Sequence, residues 1–402
     1  MVLEADPTRS EVSGGGRSEA GSGLPALPPR SRLLHVGMMK TGTTALQSTA
    51  SRRRAELARL GVLYPGVHYN HRREAQALLR RRPGAARTRR DSWDGLLAEV
   101  DDAGERRVLI SNELLASAPE PVARQLRDDL GPPAHVVLTV RSYAAVLPSL
   151  WQQYVKSGHR EDLAGFLALR LLDDETAARD MARHDQGSVV RRWVDVFGPE
   201  HVTVVVVDKR EPTRASSSFE ALLDLPPGTM HEAALGGESL NRSLSVHEAA
   251  LLLAVNRLVA DHHLSRDQTN RLLLKGVTKR MLDEGRPPAP DEQIALPPWA
   301  VEPARARSRA YADAIAASGA RVVGDLDELV PAPDDERRVG QQGSHATSTT
   351  VPVEVAAQAV LGAISAGLGR GSDFRAEPDV PTTARARPSA KGRLVRLLRR
   401  RG

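Results

Sequence analysis

The stretch His35-Val36-Gly37-Met38-Met39-Lys40-Thr41-Gly42-Thr43-Thr44-Ala45-Leu46-Gln47 decides how the rest of the chain is read. Before it, Arg32-Leu33-Leu34-His35-Val36 has the short apolar run of a buried strand. After it, Thr44 to Leu60 reads as a helix, with Ala45, Leu46, Thr49 and Leu57 at helical spacing and Gly61 as a stop. Between strand and helix lie two glycines, a lysine and three threonines. Such a turn offers backbone N–H groups, hydroxyls and one ammonium to an anion at a helix N-terminus, so it reads as a phosphate cradle.

The common nucleotide loop, GxxxxGKS or GxxxxGKT, places its lysine after the second glycine. Here Lys40 precedes Gly42. Further along, Gly61 to Gly66 reads as a short strand flanking the first, and Arg107-Val108-Leu109-Ile110-Ser111 is another buried strand, the third, which leads into Asn112-Glu113. In open parallel sheets ligands bind beyond the carboxyl ends of the strands, which puts Glu113 where chemistry is done. His135-Val136-Val137-Leu138-Thr139-Val140-Arg141 is the strongest strand of the chain, and a helix from Ser142 to Ser157 follows it despite Pro148. Arg141 and Ser149 stand eight residues apart. A guanidinium fork and a hydroxyl make a sensible pair for a phosphate dianion.

The GxxKTGTT loop, and an arginine closing a strand with a serine eight residues on, resemble the two donor-binding motifs of the sulfotransferases that use 3′-phosphoadenosine 5′-phosphosulfate (PAPS). The resemblance covers roughly residues 31–330, densely at those motifs and thinly elsewhere. It implies an α/β three-layer sandwich with a central parallel sheet, like that of P-loop nucleoside triphosphate hydrolases. It also implies PAPS as co-substrate without a metal. Thr41, Gly42, Thr43 and Thr44 would hold the 5′-phosphate, Lys40 the bridging oxygen and sulfuryl group, and Arg141 with Ser149 the 3′-phosphate. Relatives use a glutamate or a histidine as base, and Glu113, in the region where glutamate-type members carry theirs, is the first choice, with His71 and His68 second. Glu113 read blandly is a structural carboxylate paired with Lys40 or an arginine. The glycine-rich lysine motif of the cytosolic eukaryotic enzymes is missing, which directs the likeness to the bacterial and Golgi-type group.

The 402 residues are 41% hydrophobic and only 3% aromatic, so Leu, Val and Ala must fill the core. The lack of cysteine excludes disulfides, thiolate metal sites and a cysteine nucleophile. Of the net charge of +6, the last twelve residues alone supply six cations and no acid. A second cluster, Arg72, Arg73, Arg80, Arg81, Arg82, Arg87, Arg89 and Arg90, reads first as a solvated face and second as a recognition surface for an anionic acceptor. No run approaches the about 20 apolar residues of a membrane span, and a soluble cytoplasmic protein is expected.

Residues 1–30 are expected to be a disordered tail, 31–330 the folded domain, and 331–402 a linker with a helix at 353–368 and a basic tail. Val189 to Gly198 and Val202 to Asp208 read as a helix and strand of pure scaffold. Ser239 to Ser245 either closes over the nucleotide or simply caps the next helix. Further helices are expected from Arg266 to Glu284 and from Ala304 to Ser318, the latter with Pro303 at its start. The tip Leu394 to Arg401 reads first as a solubilising tail, with weak contact to an anionic membrane surface as the alternative and no specific nucleic acid. The acceptor is left open among small molecules, carbohydrates and lipids. The competing functions are a P-loop small-molecule kinase and a catalytically inactive PAPS-binding protein.

Overall fold

The computed structural model describes residues 23–80, 92–172, 181–231, 242–260, 262, 264–330 and 350–369. Six strands form one sheet: β1 (Arg32–Gly37), β2 (Val62–Leu63), β3 (Arg107–Ser111), β4 (Ala134–Val140), β5 (Val202–Val206) and β6 (Arg321–Val323). Their order is β2-β3-β1-β4-β5-β6, and every pairing is parallel. A parallel sheet needs helical crossovers that cover both faces, so its strands are apolar on both sides. That is why β1, β3, β4 and β5 stood out as continuous apolar runs.

Side chains alternate across the sheet. Leu34, Val36, Val108, Ile110, Val136, Leu138, Val204 and Val206 join one core layer. Under it pack α3 (Arg72–Arg80), α4 (Ser92–Asp101), α5 (Glu120–Leu130) and α8 (Gln186–Phe197), through residues such as Leu78, Trp93, Leu126 and Trp193. Leu33, Leu109, Val137 and Val205 face the other way, toward Leu46, Leu57 and Phe219 of α1 (Thr43–Arg52), α2 (Arg54–Arg59) and α9 (Arg214–Leu223). The architecture is therefore an α/β arrangement of helix, sheet and helix. A third apolar cluster joins α6 (Tyr143–Lys156), α7 (Leu163–Leu171), α10 (Val246–Ala260) and α13 (Pro298–Ala316) beyond the strand ends.

Several elements differ from expectation. The helix after the cradle breaks at Arg53 into α1 and α2. Helix α13 begins at Pro298, so Pro303 lies inside it, and Pro298 takes the first-turn place where a missing N–H costs nothing. The helix expected from Arg266 to Glu284 is α11 (Arg266–Thr269) and α12 (Lys279–Glu284) joined by a π-helical stretch, Asn270–Thr278. Its Gly276 lies against α14 (Val353–Gly367), where an added Cβ would stand 2.8 Å from the Ala366 Cβ and from the Gly362 carbonyl. Leu24 and Leu27, in the stretch expected to be disordered, pack on the Leu222 side of the core, and Leu27 N–H donates to the Leu222 carbonyl at 2.9 Å. Residues 1–22, Arg81 to Arg90, Ser239 to Asn241, 331–349 and the basic tip lie outside the described residues. Among the described residues, no helix is long and apolar enough to cross a membrane.

Candidate functional site

Strand β1 has β3 on one side and β4 on the other. From β1 the chain crosses toward β2 at one edge, whereas from β4 it crosses the opposite way to β5, and the crevice beyond the carboxyl ends of strands at such a reversal is the place where these folds bind ligands. Three sequence-predicted segments open there: the loop from Gly37 to Gly42, the turn at Asn112–Glu113, and Arg141.

The loop is shaped by its backbone. Gly37 has φ +114°, and an added Cβ would stand 3.2 Å from the Cα and Cβ of Glu113. The glycine is thus what lets the cradle and the glutamate turn lie against each other. Lys40 is in the left-handed region at φ 68°, which non-glycine residues adopt at a cost. Gly42, at φ 80°, begins α1 without a side-chain cap, and no acid stands in the first turn. The first N–H groups of a helix have no intrahelical acceptor, so this end of α1 presents donors and the positive end of its dipole.

Thr41 does something different from what its place in the loop implied. It is 2% exposed, and its hydroxyl donates to the Met38 carbonyl at 2.7 Å and lies 2.6 Å from the Thr139 hydroxyl. Together with Met38 N–H on the Thr139 carbonyl at 2.7 Å, this pins the loop to β4. The Thr41 side chain is a structural tie. Thr43 is buried and Thr44 half-buried in the first turn of α1.

Lys40 Nζ donates to Gln153 Oε1 at 3.0 Å, and the Arg141 guanidinium donates to the Lys40 carbonyl at 3.4 Å. The structure thereby brings the cradle and the end of β4 together across about one hundred residues of sequence. Gln186 fixes the Arg141 backbone from both sides, accepting from its N–H at 3.0 Å and donating to its carbonyl at 2.7 Å. Ser149 is half-buried one helical turn before Gln153 on the same stripe of α6, so it shares the face that meets Lys40. Burial pulls the Lys40 ammonium down to about 8, and the Glu113 carboxylate opposes that shift.

Glu113 opens a short 3₁₀ turn whose cap is Asn112, the Oδ1 of which accepts from Leu114 N–H at 3.0 Å. Its carboxylate accepts from Gln47 Nε2 at 3.2 Å. Gln47 is 1% exposed; its amide also donates to Ser111 Oγ at 3.1 Å and accepts from Asn70 Nδ2 at 3.1 Å. His35 Nδ1 shares Ser111 Oγ at 2.7 Å. Alternation in the strands explains the cluster. His35 and Ser111 are in register, two residues beyond Leu33 and Leu109, so they continue the same face of the sheet toward the crevice under α1. Burial lowers His35 to about 3, leaving it neutral.

His71 is placed otherwise than as a base. Ser111 N–H donates to its Nδ1 at 3.0 Å and its Nε2 lies 3.0 Å from the Pro65 carbonyl, an arrangement that assigns the proton to Nε2 and leaves neither nitrogen for a substrate. Burial lowers it to about 4. His68 is half-buried, and its carbonyl accepts from Arg54. Of the arginine cluster, Arg72, Arg73 and Arg80 are exposed on α3.

Four polar residues of the site went unread in the sequence: Gln47, Asn70, Gln153 and Lys156. Lys156 lies one turn past Gln153, is 5% exposed, and donates to the Arg242 carbonyl at 2.5 Å. Burial, then the neighbouring Lys40 and Arg242, bring it down to about 7. Gln152 on the same turn accepts from Leu244 N–H at 2.8 Å, so α6 holds the main chain at 242–244. Ser245 caps α10: Glu248 N–H donates to its hydroxyl at 3.2 Å while its own N–H donates to the Glu248 carboxylate at 2.8 Å. That reciprocal pair is a capping box, and it accounts for Ser245 without a nucleotide. The only spacing signal that pointed to Gln153 and Lys156 was the helical stripe running from Ser149.

The arrangement offers an anion a helix N-terminus, one ammonium and one guanidinium, with a carboxylate held beside them. No family model matches the chain, and no curated protein or solved structure matches it either, so the assignment of this site rests on its own geometry.

Proposed function

We propose that the protein is a sulfotransferase that moves a sulfuryl group from PAPS to a hydroxyl or amine of an acceptor, on a fold of the P-loop type. The observation that carries this reading is the convergence of two separate phosphate-type motifs on one helix N-terminus. Lys40 reaches Gln153 at 3.0 Å, and Arg141 reaches the Lys40 carbonyl at 3.4 Å. One motif suits the 5′-phosphosulfate and the other the 3′-phosphate, and a donor with phosphates at both ends uses both.

In this reading the backbone N–H groups from Thr41 to Thr44 and the dipole of α1 hold the 5′-phosphate, while Arg141 and Ser149 take the 3′-phosphate. Lys40 places its ammonium where negative charge develops on the bridging oxygen. Glu113, steadied by Gln47, accepts the acceptor's proton as the acceptor oxygen or nitrogen forms its bond to sulfur. The bond from sulfur to the 5′-phosphate oxygen breaks, and adenosine 3′,5′-bisphosphate leaves with that electron pair. Proton removal by a positioned base is worth about 10²- to 10⁴-fold in rate.

The test is transfer of ³⁵S from labelled PAPS into a cell extract that supplies candidate acceptors. The native protein labels at least one product and Lys40→Ala labels none. Equal labelling by both proteins, or none by either alongside Mg²⁺-dependent consumption of ATP, would overturn the reading.

A further inference from the structure

A single main-chain donor sets the direction of the hydrogen bonds that end on Glu113. The Arg72 N–H lies 3.3 Å from Asn70 Oδ1. A backbone N–H can only donate, so the oxygen of the Asn70 amide faces Arg72 and its nitrogen faces away. Asn70 Nδ2 therefore donates to Gln47 Oε1, at 3.1 Å. That commits the nitrogen of the Gln47 amide to its two other neighbours, Ser111 Oγ at 3.1 Å and Glu113 Oε2 at 3.2 Å. Asn70, Gln47 and Ser111 are 4%, 1% and 0% exposed, so bulk water does not blur the choice.

The same direction continues past Ser111. Its hydroxyl oxygen receives the Gln47 N–H, and its other side-chain partner among the described residues is His35 Nδ1 at 2.7 Å, so the hydroxyl proton goes to that nitrogen. His35 is neutral through burial and holds its own proton on Nε2. Nε2 meets no partner in either tautomer, so Ser111 decides between them. Toward Glu113 the interior thus turns a donor only. Oε2 is held as an acceptor and has no group to which it could pass a proton inward, because His35 Nδ1 is already filled by Ser111. Glu113 Oε1 has no hydrogen-bond partner among the described residues, and the side chain is half-buried at the crevice. Resting on the reading of this site as a sulfotransferase, we propose that Asn70 and Gln47 are positioning residues of a one-way network that holds Oε2 and presents Oε1 as the atom that takes the acceptor's proton. The proton passes from the acceptor hydroxyl or amine to Oε1 as the bond to sulfur forms, and it leaves Oε1 for water, not through His35.

The test joins nitrogen NMR of the full chain labelled in histidine, with His35 assigned by the signal lost in His35→Gln, to kinetics of Asn70→Asp. Native protein carries the His35 proton on Nε2. Aspartate at position 70 offers Gln47 acceptors only, so the Gln47 amide turns over, Ser111 gives its proton to the Gln47 oxygen, and the His35 proton moves to Nδ1. Glu113 then faces a carbonyl oxygen: ³⁵S transfer from labelled PAPS falls by at least about tenfold, while affinity for adenosine 3′,5′-bisphosphate stays within about twofold. A merely structural Asn70 would not move a proton on His35, three hydrogen bonds away. The inference is overturned if native His35 carries its proton on Nδ1, or if Asn70→Asp transfers sulfur like native protein. Should Asn70→Asp not fold, the native tautomer alone decides. Absence of transfer by native protein would instead refute the sulfotransferase reading, and the base with it, whatever the tautomer of His35.

Discussion

Replacing Gln47 by leucine probes the polar cluster that holds Glu113. Leucine is close to glutamine in volume, so the change opens no large cavity and removes only hydrogen bonds. Three are lost: from Gln47 to Ser111 at 3.1 Å, to Glu113 at 3.2 Å, and from Asn70 at 3.1 Å. Ser111 keeps His35, and half-buried Glu113 reaches water. Asn70, 4% exposed, is left with a buried N–H and no amide to receive it. A stranded buried donor costs about 1–3 kcal/mol. For a body of about 300 residues each kcal/mol shifts the melting temperature by about 1.6 °C, so the variant melts about 2–5 °C below native protein.

The companion Gln47→Glu restores an acceptor for Asn70 but sets a second carboxylate against Glu113. Two facing carboxylates raise their pKa in the folded state above the unfolded value. The penalty is therefore present at neutral pH and fades as pH falls through the raised folded-state value toward the unfolded one, about 4.3. Thermal melts at pH 7 and pH 4 separate the two variants: the leucine deficit stays constant, while the glutamate deficit shrinks in acid. Native melting of the leucine variant, with no pH-dependent deficit in the glutamate one, would refute this account of the cluster.

Gly37→Ala is expected to destabilise by about 1–3 kcal/mol in chemical denaturation, because its Cβ meets the Glu113 Cα and Cβ at 3.2 Å at a backbone φ of +114°; native stability would show that the two loops part freely. Thr41→Val should lose about 1–3 kcal/mol by stranding the Met38 carbonyl and the Thr139 hydroxyl, whereas Thr41→Ser holds stability. Lys40, lowered to about 8 from 10.5 by burial, binds fewer protons folded than unfolded between those values, so stability rises with pH across that window. Over the same rise the ammonium is lost, so affinity for adenosine 3′,5′-bisphosphate falls above about pH 8, and calorimetry on Lys40→Met should show that fall removed. Ser245→Ala should cost about 1 kcal/mol of stability through the capping box of α10 and leave bisphosphate affinity as it was.

Much of the scaffold was legible because parallel strands are buried on both faces and so write themselves as unbroken apolar runs, as in Val136 to Val140 and Val202 to Val206. The cradle was legible because its glycines, lysine and threonines are few and adjacent. Strand order is another matter: the short strand at Gly61 to Gly66, expected to flank the first strand, is β2 and pairs with β3 at the edge, and nothing in its two residues says so. Residue type also does not give direction. Thr41 turns inward to β4, and His71 spends both nitrogens on backbone groups, although both stood in plausible places. Gln47, which the helical spacing of Ala45, Leu46, Thr49 and Leu57 leaves out, is buried because Asn70, Ser111 and Glu113 come to it from three other segments. Such a cluster exists only after folding has brought its members together, so no local pattern announces it. The π-helical stretch has a similar origin, since Gly276 is read as a helix weakener until α14 is seen pressed against it.

The central claim is that one site holds a nucleotide with phosphates on both its 3′ and 5′ oxygens. Titration calorimetry with adenosine 3′,5′-bisphosphate and adenosine 5′-phosphate, on native protein and Arg141→Ala, tests it most directly. The account predicts that the native protein prefers the bisphosphate by at least about tenfold and that Arg141→Ala removes most of that preference while keeping the 5′-phosphate contact. Equal affinity for the two nucleotides, or a bisphosphate preference that survives loss of the Arg141 guanidinium, would contradict it.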